Sequence, residues 1–228
     1  MAERSLRLAV FDCDGTLVDS LGAIAAAMAR SFEAYGLPPP TPREVQSIVG
    51  LPLLDAIDRI SPEGADLERL REGYAEAYRE LIADPAMHEP LYEGALEALA
   101  ALEEAGVLLG VATGKGRRGL QGVLERHGIR DRFVTLKTSD DGPGKPNPHM
   151  LIAAMEEVGA NPADTVMIGD TTFDIVMAAN AGVAAIGVTW GYHGAAELEA
   201  AGAAHLASVF ADVAPAFERL TGGVDATA

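Results

Sequence analysis

The 228-residue chain is 49% hydrophobic and carries 34 acidic residues against 17 basic ones, a net charge of −17. So acidic a surface repels nucleic acid and anionic membranes, so neither is an expected partner, and an anionic substrate needs a local positive site. One cysteine excludes an intrachain disulfide and fits a reducing compartment, and no apolar run approaches the roughly 18 residues of a membrane span.

The chain opens on MAERSLRLAVF, which lacks the apolar segment of a signal peptide, and the cytoplasm is the expected location. Leu6 to Phe11 is the first of several short apolar runs, followed by Val107 to Thr113, Phe133 to Leu136, Thr165 to Gly169 and Val183 to Val188. Near-continuous apolarity marks strands buried on both faces, as in a parallel sheet covered by helices. From about Leu17 to Pro90 no convincing strand occurs. Ile24, Met28, Phe32 and Tyr35 form one helical stripe there, and Leu67, Leu70, Tyr74, Tyr78 and Leu81 form another. GLPPPTPRE and ADPAMHEP punctuate this block with prolines. We expect a helical domain over residues 17–89 inserted into a core made of 1–16 and 90–228. A single domain with extra helices on one face is the alternative.

Asp19 or Ser20 has the chemistry of an N-cap for the first inserted helix. After the block, Glu93 to Glu104 repeats Leu96, Leu99 and Leu102 and stops at Gly106. In GKPNPHMLIAAMEEVG, Asn147 is the expected N-cap, Pro148 the first helical residue and Gly159 the stop. The closing TGGVDATA reads as a frayed tail. Strands alternating with helices imply an α/β fold: a doubly wound parallel-sheet, Rossmann-like core with an inserted all-α cap domain.

In open α/β sheets, ligands bind outside the carboxyl ends of the strands, and polar residues collect there. The first run ends at Asp12 with Asp14 close by, the second at Thr113 and the fourth at Asp170, while a loop after the third carries Lys145. Any one of them could cap a helix or face solvent, but all four runs deliver to the same rim. Residues i and i+2 of an extended segment point the same way, so Asp12 and Asp14 face one site and Cys13 points opposite. Two neighbouring carboxylates repel unless a cation or proton sits between them. Mg2+ suits such hard oxygen ligands, and Asp170 could complete the site.

DCDGT at 12–16, ATGK at 112–115, GKPNP at 144–148 and GDTTFD at 169–174 resemble, in this order, the motifs of the haloacid dehalogenase superfamily. The likeness covers most of the chain and is greatest to phosphoglycolate-phosphatase-like members, in which a small α-helical cap sits where the inserted block lies here. It implies Mg2+-dependent hydrolysis of a small phosphorylated metabolite, a phosphate monoester, through an aspartyl-phosphate. By this resemblance Asp12 attacks phosphorus, Asp14 protonates the leaving alcohol and then deprotonates water, and Asp12, Asp14 (through its backbone carbonyl) and Asp170 hold the metal. Thr113 and the Gly114 N–H are suitable phosphate donors, and Lys145 would neutralise phosphate and Asp12 together. Asp174 is expected to orient metal-bound water or Lys145, with direct ligation open and a helix-dipole role nearly as good a reading.

Departures from other branches narrow the reading. The second acid missing from true haloacid dehalogenases is present as Asp14. The Schiff-base lysine of phosphonoacetaldehyde hydrolases has no counterpart, because the lysines fall at 115, 137 and 145, outside the block. No histidine precedes His88, against the early cap histidine of β-phosphoglucomutases. Inorganic pyrophosphate and sugar phosphates stay open as substrates, as does a non-catalytic phosphate-binding module. The loop IVGLPLLDAI, 48–57, is expected to face the core, and it brings no charge of its own at Leu51, Pro52 and Leu53 to grip a substrate carboxylate.

The remaining candidates receive plainer expectations. Cys13 reads as a small buried hydrophobe, Gly15 as relaxing the backbone after the strand, and Thr16 as structural support. Lys115 could touch a substrate from its loop but reads more readily as a solvated lysine, and Trp190 and Tyr192 read as packing residues. The histidines at 88, 127, 149, 193 and 205 lack metal-ligand spacing.

Overall fold

The computed structural model describes residues 6–84, 87 and 89–222. The expectations for His88 and for the tail beyond residue 222 lie outside the described residues. Strands β1 (Leu6–Phe11), β2 (Leu108–Ala112), β3 (Phe133–Lys137), β4 (Ala160–Gly169), β5 (Ala184–Val188) and β6 (His205–Ala207) form one sheet. All neighbours pair in parallel, in the order β3-β2-β1-β4-β5-β6. The chain builds outward from β1 to β3, then returns to start again at β4 on the other side. That reversal opens a crevice between β1 and β4, at the carboxyl ends of both.

Between β1 and β2 run α1 (Leu21–Ala34), α2 (Pro42–Ile48), α3 (Leu53–Ile60), α4 (Leu67–Ile82) and α5 (Ala95–Glu104). Then come α6 (Arg117–Arg126), α7 (His149–Val158), α8 (Thr172–Asn180), α9 (Ala195–Ala201) and α10 (Val213–Thr221). Alternation along β1 gives the sheet two buried faces. Ala9 and Phe11 enter one apolar cluster with Leu99 and Leu102 of α5 and Phe217 of α10. Leu8 and Val10 enter the other with Met150 of α7 and Ile175 of α8. Each fully buried large side chain of this kind stabilises the fold by about 1.5–3 kcal/mol.

Helices α1 to α4 share a third apolar cluster, built on Ile24, Met28, Phe32, Ile57 and Leu70, with α1 packed along α4. This is the all-α cap. Tyr35 leaves the expected stripe: α1 ends at Ala34, Tyr35 is 37% exposed, and the Arg69 guanidinium lies 4.9 Å from its ring centroid. Ser20 does occupy the N-cap position of α1, but its hydroxyl pairs with the Tyr192 hydroxyl at 3.2 Å rather than with the helix.

Helix α7 starts one residue later than expected, with Pro148 as N-cap. Asn147 still serves the helix entrance, since its Oδ1 accepts from the His149 N–H at 3.0 Å. Strand β6, three residues in an alanine-rich stretch, shows no apolar run to read. Gly106 and Gly159 both take the left-handed conformation that ends a helix, at φ 74° each. No helix among the described residues is long and apolar enough to cross a membrane.

Candidate active site

Phe11 pairs with Ile168, so Asp12 and Asp170 leave adjacent strands side by side. Asp12 is still tied to the sheet, its N–H donating to the Ile168 carbonyl at 2.9 Å, and its side chain is buried. A buried carboxylate is costly unless compensated. The compensation is Lys145, whose Nζ lies 2.7 Å from Asp12 Oδ1 and 2.6 Å from Asp174 Oδ1. Burial nonetheless pushes the Asp12 pKa up to about 7, with Lys145 pulling it down and Asp174 and Asp14 adding to the rise. For Lys145, burial opposes the charge, but Asp12 and Asp174 outweigh it and its pKa is raised.

Asp174 makes two sets of contacts, one with the start of α8 and one with Lys145. Oδ2 accepts from the Thr171 N–H at 3.1 Å and the Thr171 hydroxyl at 2.7 Å, completing a capping box at the start of α8. Oδ1 faces Lys145. Asp170 accepts from the Thr16 hydroxyl at 2.9 Å on Oδ1 and from the Tyr192 N–H at 2.9 Å on Oδ2. Thr16 thus bonds directly to a site residue, and Tyr192 both packs and donates. Burial, then Asp12 and Asp174, hold the Asp170 pKa well above the usual carboxylate range.

Carboxylate oxygens of Asp12, Asp170 and Asp174 lie within 4.8 Å of one another. Of these three buried carboxylates, Asp12 and Asp174 pair with one ammonium, and among the described residues Asp12 Oδ2 has no hydrogen-bond partner. That donor set fits a hard divalent cation such as Mg2+. Close glycines make room for it. Gly15 has φ +87°, and a Cβ there would stand 2.3 Å from Asp170 Oδ2.

The Asp14 carboxylate lies outside this trio of acids. It points to Lys115, whose Nζ donates to Asp14 Oδ1 at 2.8 Å and to the Tyr78 hydroxyl at 2.8 Å, and lies 3.4 Å from Glu89 Oε1. Tyr78 in turn donates to Glu89, and Arg126 of α6 pairs with Glu89 Oε2 at 3.1 Å. The expectation of a solvated Lys115 is therefore wrong. Its side chain is 8% exposed and its pKa is raised: burial opposes the charge, but Asp14, Tyr78 and Glu89 outweigh it. Glu89 and Tyr78 escaped the sequence reading because one lies in a linker and the other in an ordinary helical stripe.

Thr113 and Gly114 also sit on the rim. Thr113 Oγ1 accepts from the Lys115 N–H at 3.2 Å, which leaves its own proton available to a ligand. A Cβ on Gly114 would fall 2.6 Å from the carbonyl oxygens of both Gly50 and Leu51, and one on Gly144 would fall 2.1 Å from Pro52 Cγ. The loop between α2 and α3 therefore lies directly on the core, as expected of the segment 48–57. Gln46 Nε2 ties the cap to the Tyr192 carbonyl at 2.7 Å. Trp190 packs on Phe210 and donates to the Thr16 carbonyl at 3.1 Å. Cys13 is buried, and burial pushes its thiol pKa up, away from reactivity.

The family model of the haloacid dehalogenase-like hydrolases matches residues 9–188. "Probable phosphatase IndB" of Dickeya dadantii is 36% identical over 217 residues, 93% of this chain and 94% of that protein. A phosphoglycolate phosphatase of Vibrio vulnificus is 36% identical over 203 residues, 85% of this chain and 88% of the relative. Among solved structures, a hydrolase from Pseudomonas syringae superposes with a TM-score of 0.82 at 25% identity, covering 93% of this chain and 98% of the other. With its four motifs gathered on one rim and matching sequence over nearly its whole length, the chain belongs to the haloacid dehalogenase-like hydrolase family.

Proposed function

We propose that the chain is a cytoplasmic phosphatase that hydrolyses a small phosphate monoester through an aspartyl-phosphate on Asp12. The observation that carries the reading is Asp12 itself, a buried strand-end carboxylate facing one lysine and two further acids. A carboxylate attacking a phosphate dianion meets strong repulsion, so electrostatic stabilisation is the main task. Lys145 sits where it neutralises Asp12 and an incoming phosphate together, held by Asp174 from its other side. The Thr113 hydroxyl and the Gly114 N–H donate to phosphate oxygens.

Asp12, Asp170 and Asp174, with the Asp14 backbone carbonyl, would hold Mg2+, which supplies positive charge to the phosphoryl oxygens when bound. Asp14 gives a proton to the leaving alcohol and later takes one from the water that hydrolyses the acyl phosphate. Lys115 fixes its carboxylate on the side of the site away from the three clustered acids. The cap loop over Gly114 and Gly144 excludes bulk water while this happens.

The test is phosphate release from a panel of small phosphate esters with Mg2+, after chelation, and with Asp12→Asn as the blank. Mg2+-dependent release that vanishes in the variant is expected. A fully active Asp12→Asn protein would overturn the covalent step, and an inactive wild type would favour a phosphate-binding module.

A further inference from the structure

On its Asp14 side the site opens into a cavity of about 680 Å³ between cap and core. Asp14, Gly114 and Lys115 line it, so it begins where an alcohol protonated by Asp14 must sit. Its cap wall is apolar, with Met28, Ile48, Leu53 and Ile82 beside the rings of Tyr74 and Tyr78, which stack 5.7 Å apart. The core floor runs along Gly116, Gly119 and Gly122, with the Lys115 stem lying over Gly119. Of the charged groups on the lining, Asp14 pairs with Lys115, while Arg79, whose Nε donates to the Ala75 carbonyl at 3.0 Å, and Arg118 are exposed positive charges at its edge.

Cavities of roughly 300–1,000 Å³ suit drug-sized molecules held mainly by apolar contact. A two-carbon acid or a second phosphate would leave most of this space as water against apolar side chains. A ring, by contrast, would fill it against the apolar cap wall and the tyrosine pair.

Resting on the phosphatase reading, we propose that the leaving group is a bulky, mainly apolar alcohol carrying a ring. Phosphoglycolate and pyrophosphate are then poor substrates. Recognition comes from the apolar cap wall and the tyrosine pair, and Arg79 and Arg118 play a minor part.

The experiment compares kcat/KM for benzyl phosphate, cyclohexylmethyl phosphate, ethyl phosphate, phosphoglycolate and pyrophosphate with Mg2+ present. The first three are primary-alcohol esters with similar chemistry, so differences among them report the cavity. The two ring esters should exceed ethyl phosphate by about tenfold or more. Gly122→Phe fills the cavity from α6, where an added Cβ meets nothing within 4 Å, and an unchanged melting temperature verifies its folding. The ratio of benzyl to ethyl phosphate should fall toward one in that variant. Phosphoglycolate or pyrophosphate as the best substrate, or equal turnover of all five, would overturn the assignment and leave the phosphatase reading intact. A ratio unmoved by Gly122→Phe would overturn it as well. No release from any compound would bring down the phosphatase reading, and this inference with it.

Discussion

Lys145 and Lys115 are both buried, and each forms an ion pair with one aspartate of the same strand-end motif, yet they sit in different surroundings. Lys145 lies entirely within the core, between Asp12 and Asp174, in a group that still holds excess negative charge. Lys115 lies at the junction, sharing its three protons among Asp14 of the core, Tyr78 of the cap and Glu89 of the returning linker. The first arrangement keeps excess negative charge that a bound cation would offset. The second is already satisfied, and it joins Asp14 to the element that covers the site. One aspartate thus sits among unoffset charge within the core, and the other is tied to the cap.

The comparison can be broken most sharply at Lys145. Lys145→Met leaves Asp12 and Asp174 facing each other, and kcat should fall about 10²–10³-fold. Urea unfolding of the same metal-free variant should show a loss of about 3–5 kcal/mol, the cost of stripping a buried pair of its partner. Lys115→Met should act more narrowly. It frees the Asp14 carboxylate, so turnover of alkyl phosphates should drop by about 10²-fold. p-Nitrophenyl phosphate, whose leaving group needs no proton, should lose far less. Equal losses on both substrates would show that Lys115 serves stability alone.

Two smaller changes sharpen the cap side. Gly114→Ala sets a methyl group against the Gly50 and Leu51 carbonyls, so the cap loop must lift. KM should rise several-fold, and the loop should become more open to protease. Tyr78→Phe removes one hydroxyl between Lys115 and Glu89 and should cost about 1–3 kcal/mol by urea unfolding, the penalty for leaving buried polar partners unsatisfied. A Tyr78→Phe protein as stable as the wild type would mean that the network is not held across the junction.

The same contrast explains what was legible in the sequence. Lys145 could be found because it follows a buried strand and stands between prolines, and because Asp12, Thr113 and Asp170 occupy equivalent strand ends. Strand-end position is a local property, and the sheet order turns it into proximity. Asp174 was readable for a similar reason, lying on the first turn of the helix that Asp170 introduces. Lys115 could not be read this way. Its acceptors Tyr78 and Glu89 lie 37 and 26 residues away in the chain, and only the seating of the cap brings them to it. Tyr78 kept its helical spacing and looked like core, while its hydroxyl carried the functional contact. The parallel sheet was visible in its apolar runs, but β6 was too short to show one, and Tyr35 kept the spacing of a stripe that α1 does not extend to.

The most direct test is to mix enzyme, Mg2+ and a turned-over phosphate ester, quench in acid within one turnover, and map the phosphorylated peptide by mass spectrometry. Phosphate on Asp12, absent from Asp12→Asn, is the predicted result. Turnover with no phosphate on Asp12 at any quench time, or with phosphate on another side chain, would contradict the account.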